Sequence, residues 1–211
     1  MTDQSYSATD LQAELALDRE AMERLQTYAD LLVKWQPKIN LVGPDTMGDL
    51  WQRHMLDSAQ LLPLIPNHKK VVDFGSGAGF PGLVLACLNP TLDIHLIESD
   101  QRKCAFLREV KRAAGCIVTV HNERIEKLEP LGADFATSRA LASLTKLLLF
   151  ARMHSLSTGI CLFLKGKRWV DELTEAEKDW MIGSEHHPSR TDPAGMILEI
   201  KEWTPRHEYD D

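Results

Sequence analysis

Val71-Val72-Asp73-Phe74-Gly75-Ser76-Gly77-Ala78-Gly79-Phe80-Pro81-Gly82 is the stretch on which the fold turns. Val71 and Val72 are β-branched and apolar, which suits a strand buried on both faces of a parallel sheet. Gly75, Gly77 and Gly79 follow at alternate positions, and residues without a Cβ let the chain turn sharply and run close to a ligand. Pro81 fits the first position of a helix, where its missing N–H costs nothing, and Leu83-Val84-Leu85-Ala86-Cys87-Leu88 continues as an apolar helix against the sheet. Strand, glycine turn and helix in this order place a nucleotide-like ligand over the turn.

Two ligands compete for that place. Gly77-Ala78-Gly79-Phe80-Pro81-Gly82 matches the dinucleotide fingerprint G-x-G-x-x-G, and Glu98 lies about twenty residues beyond Gly77, where that fingerprint carries its ribose-binding acid. The discriminating residue is Asp73, at the end of the strand before the first glycine. A carboxylate there is a poor neighbour for a pyrophosphate. S-adenosyl-L-methionine has no phosphate and carries an amino group and a sulfonium, so Asp73, Gly75, Gly77 and Gly79 are expected to form a site for it, with Glu98 on the ribose hydroxyls. An NAD(P)-dependent oxidoreductase is the alternative.

The chain has 211 residues and a net charge of −7, enough for one main domain with an appendage. No apolar run approaches the ~20 residues of a membrane span, and Met1-Thr2-Asp3-Gln4 is polar rather than a leader, so a cytoplasmic protein without membrane contact is expected. Cys87, Cys104, Cys116 and Cys161 are widely spaced, and His186-His187 is the only histidine cluster, so no metal site is expected. The acidic balance excludes a uniformly basic nucleic-acid binder but leaves room for a basic face, because acids crowd both termini, including Asp3, Asp10, Glu208, Asp210 and Asp211.

In chain order, Thr9 with Gln12 has capping-box spacing and opens a helix. Met22, Leu25, Ala29, Leu32 and Trp35 recur at helical spacing until Pro37 ends the run. Asp45 is placed to cap a third helix from Thr46 to Leu62, on which an Arg53–Asp57 pair becomes possible. Leu62-Pro63-Leu64-Ile65-Pro66 then separates a helical cap, residues 1–66, from an α/β domain, residues 67–211. In that domain strands are expected at 71–74, 92–98, 117–120, 134–138 and 160–164, with a closing strand or hairpin near Met196. Helices fall between them, at Gln101 to Ala114, Leu144 to His154 and Val170 to Ile182. This is a mostly parallel, doubly wound, Rossmann-like sheet.

Ligands of such sheets bind at the carboxyl ends of the strands, which selects Asp73 to Gly79, Glu98 to Asp100, Ile125-Glu126, Ser138-Arg139 and Lys165-Gly166. Ile125 can cover an adenine ring beside Glu126. Ser138-Arg139-Ala140-Leu141 is not the Asn/Asp-Pro-Pro-aromatic tetrapeptide common in amine methylation, and no cysteine fits a nucleophile for carbon methylation. Guanine N7, with a free lone pair at neutral pH, needs neither. Arg102, Lys103, Arg108, Lys111 and Arg112 enrich one helix in base, and Lys165, Lys167 and Arg168 cluster after the fifth strand, which suits a polyanionic substrate.

With these residues the chain resembles the bacterial small-subunit ribosomal RNA guanine-N7 methyltransferases, also called glucose-inhibited division protein B. The likeness runs from about Leu25 to Glu172 and is carried by Asn40-Leu41, Arg53-His54-x-Leu56-Asp57-Ser58, the glycine stretch, Arg102-Lys103-x-x-Phe106-Leu107, Arg124-Ile125-Glu126, Ser138-Arg139-Ala140-x-Ala142 and Leu164-Lys165-Gly166. The resemblance implies a class I methyltransferase fold, S-adenosyl-L-methionine as donor, and one guanine of 16S rRNA, in the decoding-region loop of the small subunit or its precursor, as target. It further implies that Gly75, Phe80, Ile125, Glu126 and Arg139 bind the donor, and that Asn40, Arg53, His54 and Asp57 cover the active site, with Arg139 and this cap positioning the base. One departure is Glu98-Ser99-Asp100, where many relatives have Asp first. A monomer is expected, and an inactive RNA-binding protein is the second alternative.

Overall fold

The computed structural model describes residues 6–207. Met1-Thr2-Asp3-Gln4 and the acids Glu208, Asp210 and Asp211 lie outside the described residues. Two helices come first, α1 (Ala8–Leu15) and α2 (Arg19–Ile39). The capping box belongs to Ser7 and Asp10, not Thr9 and Gln12: the Ser7 hydroxyl accepts from the Asp10 N–H and the Asp10 carboxylate from the Ser7 N–H. Asp18 caps α2 at the Ala21 N–H, and the helix passes through Pro37 to end at Asn40 in a left-handed conformation. Pro37 removes one helical N–H, and the packing of the stripe Leu25, Tyr28, Ala29 and Leu32 outweighs that loss.

The expected third helix is broken into a 3₁₀ turn (Pro44–Asp49), a π turn (Trp51–Leu56), a short α3 (Asp57–Ala59) and a second 3₁₀ turn (Leu62–Leu64). Gly43, not Asp45, precedes the first of these, without a side-chain cap. The π turn widens the helix where His54, Met55 and Leu56 are buried.

The remainder alternates β1 (Lys70–Phe74), α4 (Gly82–Leu88), β2 (Asp93–Ile97), α5 (Gln101–Ala114), β3 (Val118–His121), β4 (Ala133–Arg139), α6 (Leu144–His154), β5 (Ser155–Lys165), α7 (Trp169–Ala176), β6 (Trp180–Pro188) and β7 (Met196–Pro205). The sheet order is β3-β2-β1-β4-β5-β7-β6. The first five strands are parallel, and β7 runs antiparallel to both β5 and β6. Pro81 precedes α4 rather than occupying its first turn, and α7 stops at Ala176 because the chain from Trp180 joins the hairpin.

Alternation along each strand divides the core in two. Val71, Ile94, Leu96, Phe135 and Leu162 face α2, α4 and α5, whereas Val72, Phe74, Ile97, Ala136, Cys161 and Phe163 face α6. Helix α2 belongs to the first core: Tyr28 and Trp35 meet Phe106 of α5 at centroid distances of 6.1 and 5.9 Å. Each fully buried leucine of its stripe contributes about 1.5–3 kcal/mol of burial. Residue 66 therefore marks a change from helices to strands, and the apolar core runs across it. Among the described residues no helix is long and apolar enough to cross a membrane.

The chain runs outward from β1 to β3 and returns to the other side of β1 with β4. That reversal opens a crevice over the carboxyl ends of β1 and β4.

Candidate active site

A cavity of about 380 Å³ lies at this reversal. The glycine turn forms one wall. Gly75 has φ +64°, and a Cβ there would be strained by the backbone and would lie 2.5 Å from Cδ1 of Leu141, displacing that side chain. Gly77 has φ +58° and lines the cavity; a Cβ on it would meet nothing nearer than the Gly75 carbonyl, at 3.8 Å, and would stand in the space a ligand needs.

Glu98 forms the adjoining wall. It directly follows β2, is buried, and is aimed by two backbone donors: Oε2 accepts from Gly77 N–H at 3.0 Å and Oε1 from Asp100 N–H at 2.7 Å. Each oxygen retains acceptor capacity for a hydroxyl. Ile125 and Glu126 line the far side, on a 3₁₀ turn (Ile125–Lys127) whose first carbonyl accepts from His154 Nε2 at 2.8 Å. Glu126 is exposed and lies 3.6 Å from Lys146 Nζ. Gly77, Glu98 and Ile125 thus offer a flat backbone, a carboxylate and an apolar cover within one cavity, the donor set a nucleoside requires.

Asp73 does not face the cavity. Its carboxylate is wholly enclosed, with Oδ2 accepting from Gly82 N–H at 3.2 Å and Oδ1 from the Thr137 hydroxyl at 3.1 Å. Burial raises its pKa to about 7, against the lowering effect of these hydrogen bonds. The expected contact with a ligand amino group is therefore corrected: Asp73 ties the strand end to the start of α4 and so holds the turn in shape. Gly79 and Phe80 are likewise buried behind the cavity wall.

Phe80 instead supports Arg139. The ring stacks on Tyr28 and His54, with centroids 5.4 and 5.0 Å away, and the Arg139 guanidinium lies 4.8 Å from its centroid. Arg139 ends β4 and lines the cavity. It donates to the Arg53 carbonyl at 3.0 Å, to Asp57 Oδ2 at 3.3 Å and to His54 Nδ1 at 2.8 Å. Desolvation and the nearby Arg139 and Arg53 charges push the His54 pKa down to about 3, so the ring is neutral. With Nδ1 accepting, Nε2 carries the proton and donates to the Thr46 hydroxyl at 2.8 Å, which in turn donates to the Gly43 carbonyl.

The structure thus joins His54, Asp57 and Arg139 but not every expected partner. Arg53 contributes its carbonyl, while its side chain is exposed, and Asp57 pairs with Arg139 rather than Arg53. Asn40 is exposed at the end of α2 and does not line the cavity. Residues the sequence left unassigned complete the site. The Thr191 hydroxyl, at the tip of the β6–β7 hairpin, donates to Asp57 Oδ1 at 2.7 Å, and Gln60 Nε2 donates to the same oxygen at 2.9 Å. Gln60 Oε1 holds the Arg190 N–H. Ser99, Lys103, Leu141, Lys146 and Phe150 also line the cavity. Thr191, Gln60, Lys146 and Phe150 carry no local sequence signal, since hydroxyls in hairpins and lysines on helices are ordinary surface residues, whereas Ser99, Lys103 and Leu141 fall in stretches the sequence had already singled out.

Lys165 is buried and bonded to Glu172, whereas Lys167 and Arg168 are exposed, as are Arg102, Arg108, Lys111 and Arg112 on α5. Away from the cavity, Glu185, His187 and Glu199 bring ligand atoms within 4.8 Å of one another, but the Lys201 ammonium already contacts both carboxylates, at 2.7 and 3.4 Å.

The family model described as rRNA small subunit methyltransferase G, GidB, matches residues 21–192. A protein of Paramagnetospirillum magneticum named ribosomal RNA small subunit methyltransferase G is 59% identical over 187 residues, 88% of this chain and 91% of its own length. The chain belongs to that family. A relative of the same name from Rhodospirillum centenum is 52% identical over 96% of this chain and 94% of its own. Among solved structures, M. jannaschii TYW2 in complex with AdoMet superposes with a TM-score of 0.57 over 74% of this chain and 78% of its own, at 17% identity, which supports the fold alone. Family membership makes the α/β protein a methyltransferase and removes the oxidoreductase alternative.

Proposed function

We propose that this member of the GidB family methylates N7 of one guanine in the decoding-region loop of 16S rRNA, using S-adenosyl-L-methionine, as a cytoplasmic monomer. The observation that carries the reading is the 59% identity, over nearly the whole chain, to a named small-subunit rRNA methyltransferase. N7 carries a free lone pair at neutral pH and asks no general base of the site, which suits an arrangement in which the imidazole beside Arg139, that of His54, is neutral with its Nδ1 lone pair already engaged.

The residues present fit the donor. Gly75 and Gly77 leave room for its main body, Glu98 accepts from the ribose hydroxyls and Ile125 covers the adenine. When bound, the donor supplies a sulfonium methyl whose transfer to N7 forms a C–N bond, breaks the C–S bond and releases a neutral thioether, with no proton lost. Catalysis by this chain is then alignment and electrostatics, and orientation alone lowers such barriers by about 7–11 kcal/mol. Arg139, locked by Phe80, His54 and Asp57, provides a fixed positive charge at the cavity edge, and the helical segment carrying His54 and Asp57 caps it.

The test is transfer of labelled methyl from S-adenosyl-L-methionine to small-subunit RNA purified from cells lacking the family enzyme, followed by nucleoside mapping. The expected product is 7-methylguanosine at a single site. Label on an exocyclic nitrogen or on carbon, or none at all, would reject the proposal, and size-exclusion chromatography at micromolar concentration checks the monomer.

A further inference from the structure

Beside the donor cavity lies a second one of about 460 Å³. Ala140, Leu141 and Ala142 line both, so the two spaces adjoin along one strip of three residues. Reaction in line requires the accepting atom within about 3–3.5 Å of the methyl, so the acceptor must occupy space contiguous with the donor's. The strip marks where the two spaces meet. Ala140 sits at φ +53°, a conformation costly for a residue with a Cβ, and Leu141 lies over Gly75.

A charged pair adjoins the strip in the second cavity. Lys165, at the end of β5 and buried, donates to the Ala142 carbonyl at 2.9 Å and to Glu172 Oε2 at 2.7 Å. Two of its three N–H groups are thereby engaged and one remains. The Glu172 side chain is one-quarter exposed, and its carboxylate can accept further bonds. Arg168 lies at the same cavity and is exposed.

We infer that this second cavity receives the target guanine, with Lys165 and Glu172 reading its Watson–Crick edge. The inference rests on the proposed function and extends it to the residues that select the base. With N7 toward the Ala140–Ala142 strip, O6, which shares an edge with N7, lies beside the Lys165 ammonium held at the Ala142 carbonyl, and N1–H and the N2 amine turn toward Glu172. O6 accepts, N1 and N2 donate, and the ammonium of Lys165 beside the carboxylate of Glu172 is the complementary pair. Adenine reverses the order, setting an amine against the ammonium and a lone pair against the carboxylate. A site built to bond a substrate N–H rejects an analogue that leaves it unpaired. Arg168 is placed for the flanking phosphate, which positions the strand without reading it.

The decisive experiment compares small-subunit RNA assembled with guanosine, inosine or adenosine at the target position, under single-turnover conditions with saturating S-adenosyl-L-methionine. Inosine keeps N7, O6 and N1–H and lacks only the N2 amine. Wild-type protein is expected to methylate the inosine RNA roughly tenfold or more slowly than the guanosine RNA, and adenosine RNA not at all. Glu172→Gln should bring the guanosine-to-inosine ratio close to one, while calorimetric titration shows unchanged affinity for S-adenosyl-L-methionine. Equal rates on guanosine and inosine RNA with the wild-type protein would overturn the inference without any variant, as would a wild-type ratio in Glu172→Gln. A pair serving only to fasten α7 to β5 would move both rates alike. Failure of the underlying function is a separate result, in which the wild-type protein transfers no methyl to the guanosine RNA.

Discussion

Asp73 and His54 are both enclosed, and burial drives each toward its neutral form. For Asp73 the folded pKa of about 7 lies above an unfolded value near ~3.9, so the folded chain keeps a proton that the unfolded chain releases between them. Stability from this group is complete below about pH 4, is lost as pH rises toward 7, and is level above that. Asp73→Asn preserves the acceptor for Gly82 N–H and can donate to Thr137. Thermal melts at pH 5 and pH 8 should show the wild type losing more stability at the higher pH than the variant does; identical pH dependence would contradict this account. For His54, a pKa near 3 leaves no charge change under physiological conditions, so kcat/KM should show no ionisation assignable to it between pH 5 and 8, which a pH–rate comparison of wild type and His54→Gln checks. The places of Glu98 and Gly77 in the cavity wall were legible because they follow from spacing after a strand. The direction of Asp73 was not, because it is decided by Thr137, 64 residues further on.

Helix α5 shows what makes an element legible. Asp100 caps it through the Arg102 and Lys103 N–H groups and Gly115 ends it at φ +67°, so both ends are local chemistry, and the expected bounds match those found. The segment from Pro44 to Leu64 is the opposite case. Its apolar spacing is helical, but burial of His54 beneath Arg139 and of Leu56 in the core pulls the backbone through 3₁₀ and π turns. That distortion is imposed by β4, which no local pattern announces. The β6–β7 hairpin was equally opaque: its tip secures Asp57 from 134 residues away. Thr191→Val removes that bond and should lower kcat/KM several-fold through a less constrained Arg139, with a stability loss of about 1 kcal/mol, whereas Thr191→Ser restores both. Arg139→Lys, which cannot reproduce the planar fork to Asp57, His54 and the Arg53 carbonyl, should cost at least about tenfold in kcat/KM by a methyl-transfer assay.

At the scale of the molecule, a net charge of −7 opposes a polyanion, so RNA affinity must come from local basic patches. Lys167 and Arg168 at the rim and Arg108, Lys111 and Arg112 on α5 are exposed and available. Replacing Lys167 and Arg168 by Gln should weaken RNA binding and flatten the slope of log K against log salt by about 0.7–0.9 for each phosphate no longer neutralised, measured by filter binding. An unchanged slope would place the RNA backbone against other basic residues. The doubly wound topology was legible from strand and helix alternation, because the central strands β1, β4 and β5 carry apolar residues toward both faces. The N-terminal helices were legible as amphipathic but not as a layer of the sheet's own core, since a stripe states that a partner exists and not which one.

The bond from Thr191 to Asp57 has a temporal consequence. Chains emerge from the ribosome amino end first, and β1 through β5 can pair before the hairpin exists. The clamp on Arg139 is therefore finished only when the hairpin tip has left the exit tunnel and folded back over the earliest helices. A nascent chain that had completed β1 to β5 would still lack its tightened arginine, so competence for chemistry waits on the hairpin that fastens itself to the helical segment made long before it.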